Sequence, residues 1–257
     1  MVFLTKTIAV VSGKGGVGKT VTAANLSLAL QEFGEKVIAM DCDQAASNLA
    51  LQLDLHPNPD KNLQQALSQE RDVLDTISLH KTGLMVMPSS HAIREERIDP
   101  DKLKNIIDKV EGNVIIDSPP GLNDNVHTIL GLADQILVVT NPEIPAVSDA
   151  VKVAEAARIK KGSDENIFTI LTKSNEISKE VMESEIEMAL ELPIISNIPY
   201  DRDLKESIFE QTPIVRYSPY SKAAIEYRRL AAWMTNQQYE PPKMAPLKRM
   251  LNKVMGR

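Results

Sequence analysis

The chemistry in this chain is concentrated in eight residues near its start, Gly13-Lys14-Gly15-Gly16-Val17-Gly18-Lys19-Thr20. Glycines at this spacing admit positive φ and let backbone N–H groups approach phosphate oxygens with no Cβ between them. Lys19 supplies positive charge to β- and γ-phosphates, and the Thr20 hydroxyl is placed to ligate Mg²⁺. A β-branched run precedes the loop and an amphipathic stretch follows it, so the dipole of a helix N-terminus adds to the cradle. This strand–loop–helix context is what a Walker A match needs. Residues 12–21 therefore read as a phosphate cradle for MgATP, with hydrolysis the expected reaction.

Hydrolysis also needs carboxylates near the phosphates, and two apolar runs end in them. Residues 36–40 lead into Asp41-Cys42-Asp43, and Val114-Ile115-Ile116 leads into Asp117-Ser118-Pro119-Pro120-Gly121. Asp43 is the candidate for orienting the attacking water or a magnesium-bound water, and Asp117 for holding Mg²⁺ through water. Gly121 falls where a switch must follow the γ-phosphate, and Pro120 should stiffen it. The plainer alternative for Asp43 and Asn48 is that they cap the next helix.

Positioning these groups calls for alternating strands and helices. Strands are expected at 7–12, 36–41, 84–88, 113–117, 134–140, 166–172 and 193–197. Helices are expected at 19–33, 99–110, 145–160, 178–190, 201–209 and 218–235, the first closed by a left-handed Gly34. The pattern predicts an α/β fold in three layers, a mainly parallel sheet covered by helices on both faces. Residues 1–235 form one domain in this reading, 236–246 a flexible linker carrying Pro241, Pro242 and Pro246, and 247–257 a separate short helix.

With 43% hydrophobic residues in 257, the chain has enough material for one full core. No apolar run is long enough to span a membrane and no secretory cleavage pattern is present, which points to the cytoplasm. The single cysteine, Cys42, excludes a disulfide or a paired-cysteine metal site within one chain and reads as a buried thiol.

The net charge of −6 is uneven. Residues 243–257 carry five basic and no acidic residues, leaving 24 basic against 35 acidic elsewhere, or −11. So acidic a body opposes DNA binding, whereas the tail suits an anionic membrane. Leu247, Met250, Leu251, Val254 and Met255 recur at i, i+3, i+4, i+7 and i+8, with Lys248, Arg249 and Lys253 on the rest of the circumference. A basic amphipathic helix of this kind reads as an interfacial anchor, the alternative being a helix that packs on its own domain or on a partner protein. One tail would bind weakly and reversibly, and two on a dimer would gain avidity.

Gly13–Thr20, with Lys14 opening the loop, resembles the deviant Walker A of the MinD/ParA ATPases. Asp41-Cys42-Asp43 with Asn48-Leu49, Thr140-Asn141-Pro142-Glu143 and Leu171-Thr172-Lys173-Ser174-Asn175 extend the likeness to the MinD branch, over residues 5 to about 235. The resemblance implies an ATP-dependent homodimer in which Lys14 reaches the partner's phosphates, making Lys14, Lys19 and Asp43 the catalytic set. It implies base contacts from Asn175 or Lys173 and from Ile198-Pro199-Tyr200-Asp201. It further implies a membrane-targeting tail, a stimulating or cargo protein, and a role in spatial positioning such as division-site selection. Val21 stands where the family commonly has a threonine, which removes one hydroxyl contact to the α-phosphate. A flagellum-number regulator of the FleN/FlhG type and a ParA-type DNA-partition ATPase are the rival expectations.

Overall fold

The computed structural model describes residues 6–56, 58–90, 96–176 and 179–254. Eight strands form one sheet in the order β3-β4-β2-β5-β1-β6-β7-β8. They are β1 (Thr7–Val11), β2 (Val37–Asp41), β3 (Ser78–Leu79), β4 (Met85–Met87), β5 (Asn113–Asp117), β6 (Gln135–Thr140), β7 (Ile167–Ser174) and β8 (Ile194–Pro199). All neighbours pair in parallel except β3, a two-residue antiparallel edge on β4 that has no clear periodicity in the sequence. The helices are α1 (Lys19–Glu32), α2 (Leu49–Gln52), α3 (Leu63–Leu67), α4 (Pro100–Lys109), α5 (Asp124–Leu132), α6 (Ile144–Lys161), α7 (Glu183–Leu190), α8 (Arg202–Phe209), α9 (Ile214–Tyr217), α10 (Lys222–Met234) and α11 (Ala245–Val254).

Side-chain alternation along the strands builds the layers. Ala9 and Val11 of β1, Ile38 and Met40 of β2 and Val114 and Ile116 of β5 point into one core, shared with α4, α5, α6 and α7. Ile8, Val10, Val37, Ala39 and Ile115 point the other way, into a core shared with α1, α9 and α10. Because both faces are covered, these strands are apolar throughout instead of alternating, and for that reason they were legible as continuous runs.

The parallel register carries the catalytic geometry. β1 is flanked by β5 and β6, so the loop leaving its C-terminal end emerges beside the acids that end the neighbouring strands, with Asp41 paired to Asp117. That edge is where ligands bind in open α/β sheets.

The helix expected from residue 178 starts at Glu183, and Ser178 lies outside the described residues. The helix expected from 218 starts at Lys222, where Ser221 accepts the N–H of Ala224 as N-cap. Gly34 follows α1 at φ +87° and donates to Gln31. Residues 237 and 239 lie against the end of α1: Gln237 donates to the Phe33 carbonyl at 3.0 Å, and Tyr239 meets the Phe33 ring edge-on at 6.1 Å. Helix α11 begins at Ala245, with Pro246 in its first turn, where a missing N–H breaks no hydrogen bond.

Candidate active site

The glycine-rich loop wraps the mouth of a cavity of about 400 Å³ at the C-terminal end of β1. Gly16 and Gly18 sit at φ +81° and +95°, a conformation that opens the turn and that side chains resist. Gly13 answers a different need: a Cβ there would lie 2.3 Å from the backbone of Asp149 on α6. A Gly13→Ala variant should therefore push loop and helix apart, costing about 1–3 kcal/mol and nucleotide affinity. Thermal unfolding with and without MgATP measures both effects.

The structure brings most of the expected site together. Lys14, Gly15, Gly16, Val17, Gly18, Lys19, Thr20 and Val21 line the cavity along one side, and Asp43, Pro199 and Asp201 line it elsewhere. Asp117 lies beneath, fully buried, with its Oδ1 2.7 Å from the Lys19 ammonium. Burial pushes the Asp117 carboxyl above its ordinary range, against the pull of Lys19 and the Thr20 hydroxyl. Its other oxygen, Oδ2, is buried with no partner among the described residues.

Asp43 is held inward by its own loop. Its N–H donates to Asp41 at 2.9 Å, and its Oδ1 accepts the N–H of Ala46 at 3.0 Å. The turn-capping alternative and the catalytic placement thus coexist, whereas Asn48 precedes α2 without a side-chain cap. Asp41 accepts from Leu49 and Ser47 as well, stitching both ends of the 41–49 loop to one carboxylate. Burial, then the charge of Asp117, pushes Asp41 well up. Cys42 is buried and its thiol is pushed up by burial, so it stays protonated and unreactive.

Lys14 does not point at Lys19's partner. Its ammonium pairs with Glu143 at 2.9 Å, and both side chains are partly exposed at the rim, so this pair contributes little stability. Glu143 belongs to a motif visible in the sequence, but nothing in the local pattern assigned it this partner. Of the two candidate base contacts, Lys173 lines the cavity and donates to the Gly16 carbonyl at 2.7 Å. Asn175, at φ +61°, lines neighbouring hollows with Ser174 and turns its backbone N–H to Glu180. Tyr200, in the loop expected beside the base, lines the cavity too, as do Thr172, Leu204, Ile208 and Tyr227, which had no role of their own assigned from sequence. The Tyr227 hydroxyl lies 3.3 Å from Thr22, and burial pushes its pKa up to about 12.

These residues fit a magnesium nucleotide. The glycine amides suit phosphate oxygens, and Thr20 with the unpartnered oxygen of Asp117 supplies hard oxygen ligands of the kind Mg²⁺ takes, directly or through water. A family model, ParA, described as "NUBPL iron-transfer P-loop NTPase", matches residues 4–235. The chain belongs to the MinD/ParA family of P-loop ATPases.

Among its relatives, an uncharacterized ATP-binding protein of Methanocaldococcus jannaschii is 34% identical, over 90% of this chain and 88% of that protein. The septum site-determining protein MinD of Thermotoga maritima is also 34% identical, over 77% of this chain and 76% of its own. The MinD of Pyrococcus horikoshii, solved with Mg-ADP, superposes with a TM-score of 0.81 at 30% identity, covering 90% of this chain and 96% of that one. The protein is thus a P-loop ATPase that uses ATP and Mg²⁺. Iron transfer, which the family model's description names, has no paired cysteines to work with here.

The tail meets the body. Arg249 of α11 donates through Nε to Asp203 at 2.7 Å and through Nη2 to Asp201 at 2.5 Å. This residue, expected among the basic residues of a membrane-binding tail, is bonded here to its own domain. Lys248 lies over the Tyr220 ring at 5.5 Å, while Leu247 and Met250 are exposed. The side chains of Leu251, Lys253 and Val254, and all of Met255, lie outside what the structure describes. Among the described residues no helix is long and apolar enough to cross a membrane.

Proposed function

We infer that this ATPase is a nucleotide-switched homodimer of the MinD kind, which binds an anionic membrane reversibly through residues 247–257 and positions a partner protein, as in division-site selection. The observation that carries the reading is the parking of Lys14. Its ammonium sits on Glu143 at the rim, outside the cluster formed by Lys19 and Asp117. A cation on an exposed ion pair of this kind is cheap to release toward a second subunit.

In this reading Lys19 and the glycine amides bind the β- and γ-phosphates, and Thr20 and Asp117 hold Mg²⁺. Asp43 orients the attacking water, and Lys14 crosses to the partner's phosphates. Pro199, Asp201 and either Lys173 or Asn175 border the base. ATP brings two tails together, and hydrolysis separates them. The relatives named as septum site-determining proteins support division over flagellar placement, and the acidic body argues against DNA as the track.

The test is sedimentation with phosphatidylglycerol-containing vesicles, with ADP and with ATP, of the full chain and of a chain ending at residue 245. The full chain should sediment with ATP at least about tenfold more than with ADP, and the shortened chain should stay in solution. Equal sedimentation of the two chains ends the membrane reading.

A further inference from the structure

Helix α11 is docked on the body through Arg249, with Leu247 and Met250, two residues of its apolar stripe, left exposed. At roughly 100° per residue, Ala245, Lys248 and Arg249 share one side of the helix, and Leu247 lies nearly across from Ala245 and Arg249. Ala245 is 8% exposed, whereas Leu247 is 46% and Met250 65% exposed. A helix sequestered against its domain would turn its apolar stripe inward. Here Ala245 and Arg249 meet the protein, while Leu247 and Met250 of the apolar stripe face solvent.

The attachment is an acidic socket with a specific occupant. Asp201 and Asp203 have side chains 3% and 0% exposed, and the Arg249 guanidinium bridges the two. Two neighbouring carboxylates out of water repel and are poorly solvated, so a cation shared between them is strongly favoured. A guanidinium suits this better than an ammonium, because its planar fork presents separate N–H groups to the two acids. Ser218 also donates to Asp203 at 2.8 Å, and the Asp203 N–H donates to Asp201 at 3.0 Å, which fixes the carboxylates for the fork. Asp201 lines the nucleotide cavity, so the socket anchors the helix at the rim of that cavity.

We propose that Asp201 and Asp203 form an arginine socket that holds α11 folded and oriented, with Leu247 and Met250 outward, as a preformed contact surface for anionic lipid. The proposal rests on the membrane reading above. A free tail of this length must nucleate its own helix on the lipid, against a nucleation constant of the order of one in a thousand. A docked helix has already met that cost, and preorganisation of this kind raises affinity with no new contact. Exposed Lys243 and Lys248, in a stretch of residues 243–257 that contains no acid, give the tail its charge complementarity to lipid phosphate.

Two variants break the socket without removing a tail charge: Asp203→Asn and Arg249→Lys. The first makes the body less acidic, which by electrostatics alone would strengthen lipid binding. Each is checked for cooperative thermal unfolding, then compared with the unaltered protein on vesicles of phosphatidylcholine and phosphatidylglycerol with ATP. The expected result is binding weaker by about tenfold in both. In the absence of lipid, hydrogen exchange should show the amides of 245–254 protected in the unaltered chain and exposed in both variants. Unchanged or tighter vesicle binding by the variants overturns the proposal, tighter binding meaning that the socket sequesters the tail. Rapid exchange of the 245–254 amides in the unaltered chain overturns it too. Failure of the membrane reading shows differently, as vesicle binding indifferent to loss of residues 246–257 while the exchange result stands.

Discussion

Replacing Lys19 by alanine is expected to weaken ATP binding by at least about 2 kcal/mol, some thirtyfold, because a charged contact to the phosphates is lost. Calorimetry with MgATP reads this directly, and unchanged heat and affinity would refute the cradle assignment. The same substitution acts on the nucleotide-free protein, because Lys19 is the cation beside buried Asp117. Stranding a buried charge typically costs about 3–5 kcal/mol, but a carboxylate escapes part of that cost by taking up a proton.

The pH dependence follows from that escape. Burial already holds the Asp117 carboxyl above its ordinary value, and losing Lys19 removes the largest opposing influence. An acid whose folded pKa exceeds its unfolded one binds more protons when folded, so stability falls as pH rises from the unfolded value through the folded one. The Lys19→Ala protein should therefore lose least at the acid end and most in neutral and alkaline buffer, relative to the unaltered chain. Urea midpoints across that range measure it. A penalty independent of pH would mean that Asp117 is not the group left stranded.

Asp43→Ala is expected to slow phosphate release by about 10²–10⁴-fold while altering ATP affinity far less. The carboxylate lies two residues beyond β2 and lines the cavity, yet it belongs neither to the glycine loop nor to the Lys19–Asp117 pair. The substitution also removes the cap on the Ala46 N–H, a loss of about 1 kcal/mol that has nothing to do with catalysis. Asp43→Asn separates the two effects, since an amide oxygen can keep the cap while the charge is gone. Both variants should turn over slowly, and only the alanine should be measurably less stable. If phosphate release persists at the unaltered rate in both, the water is oriented by some other group. Slow turnover should also prolong the ATP-bound dimer, so the oligomeric mass of Asp43→Ala with ATP is the cleanest view of that state.

Local sequence determined the chemistry of the loop. The glycine spacing, Lys19 and Thr20 lie within ten residues of one another, between a β-branched run and a helix, and backbone geometry alone turns that string into a phosphate cradle. The central strands were legible because burial on both faces makes them uniformly apolar, and Gly34 because only a left-handed residue closes α1 there. Short α2, α3 and α9 were not legible, since one turn of helix leaves no periodicity to read. The tertiary structure decided what distant residues do for each other. Lys19 meets Asp117 across 98 positions, Lys14 meets Glu143 across 129, and Lys173 rather than Asn175 reaches the cavity. The tail shows the division most clearly. Its amphipathic pattern fixed which residues share a face, because that depends only on the helical repeat. What Arg249 meets was decided by two buried carboxylates 46 and 48 positions away. Two carboxylates out of water favour a shared cation, and Arg249 supplies it while Leu247 and Met250 stay exposed.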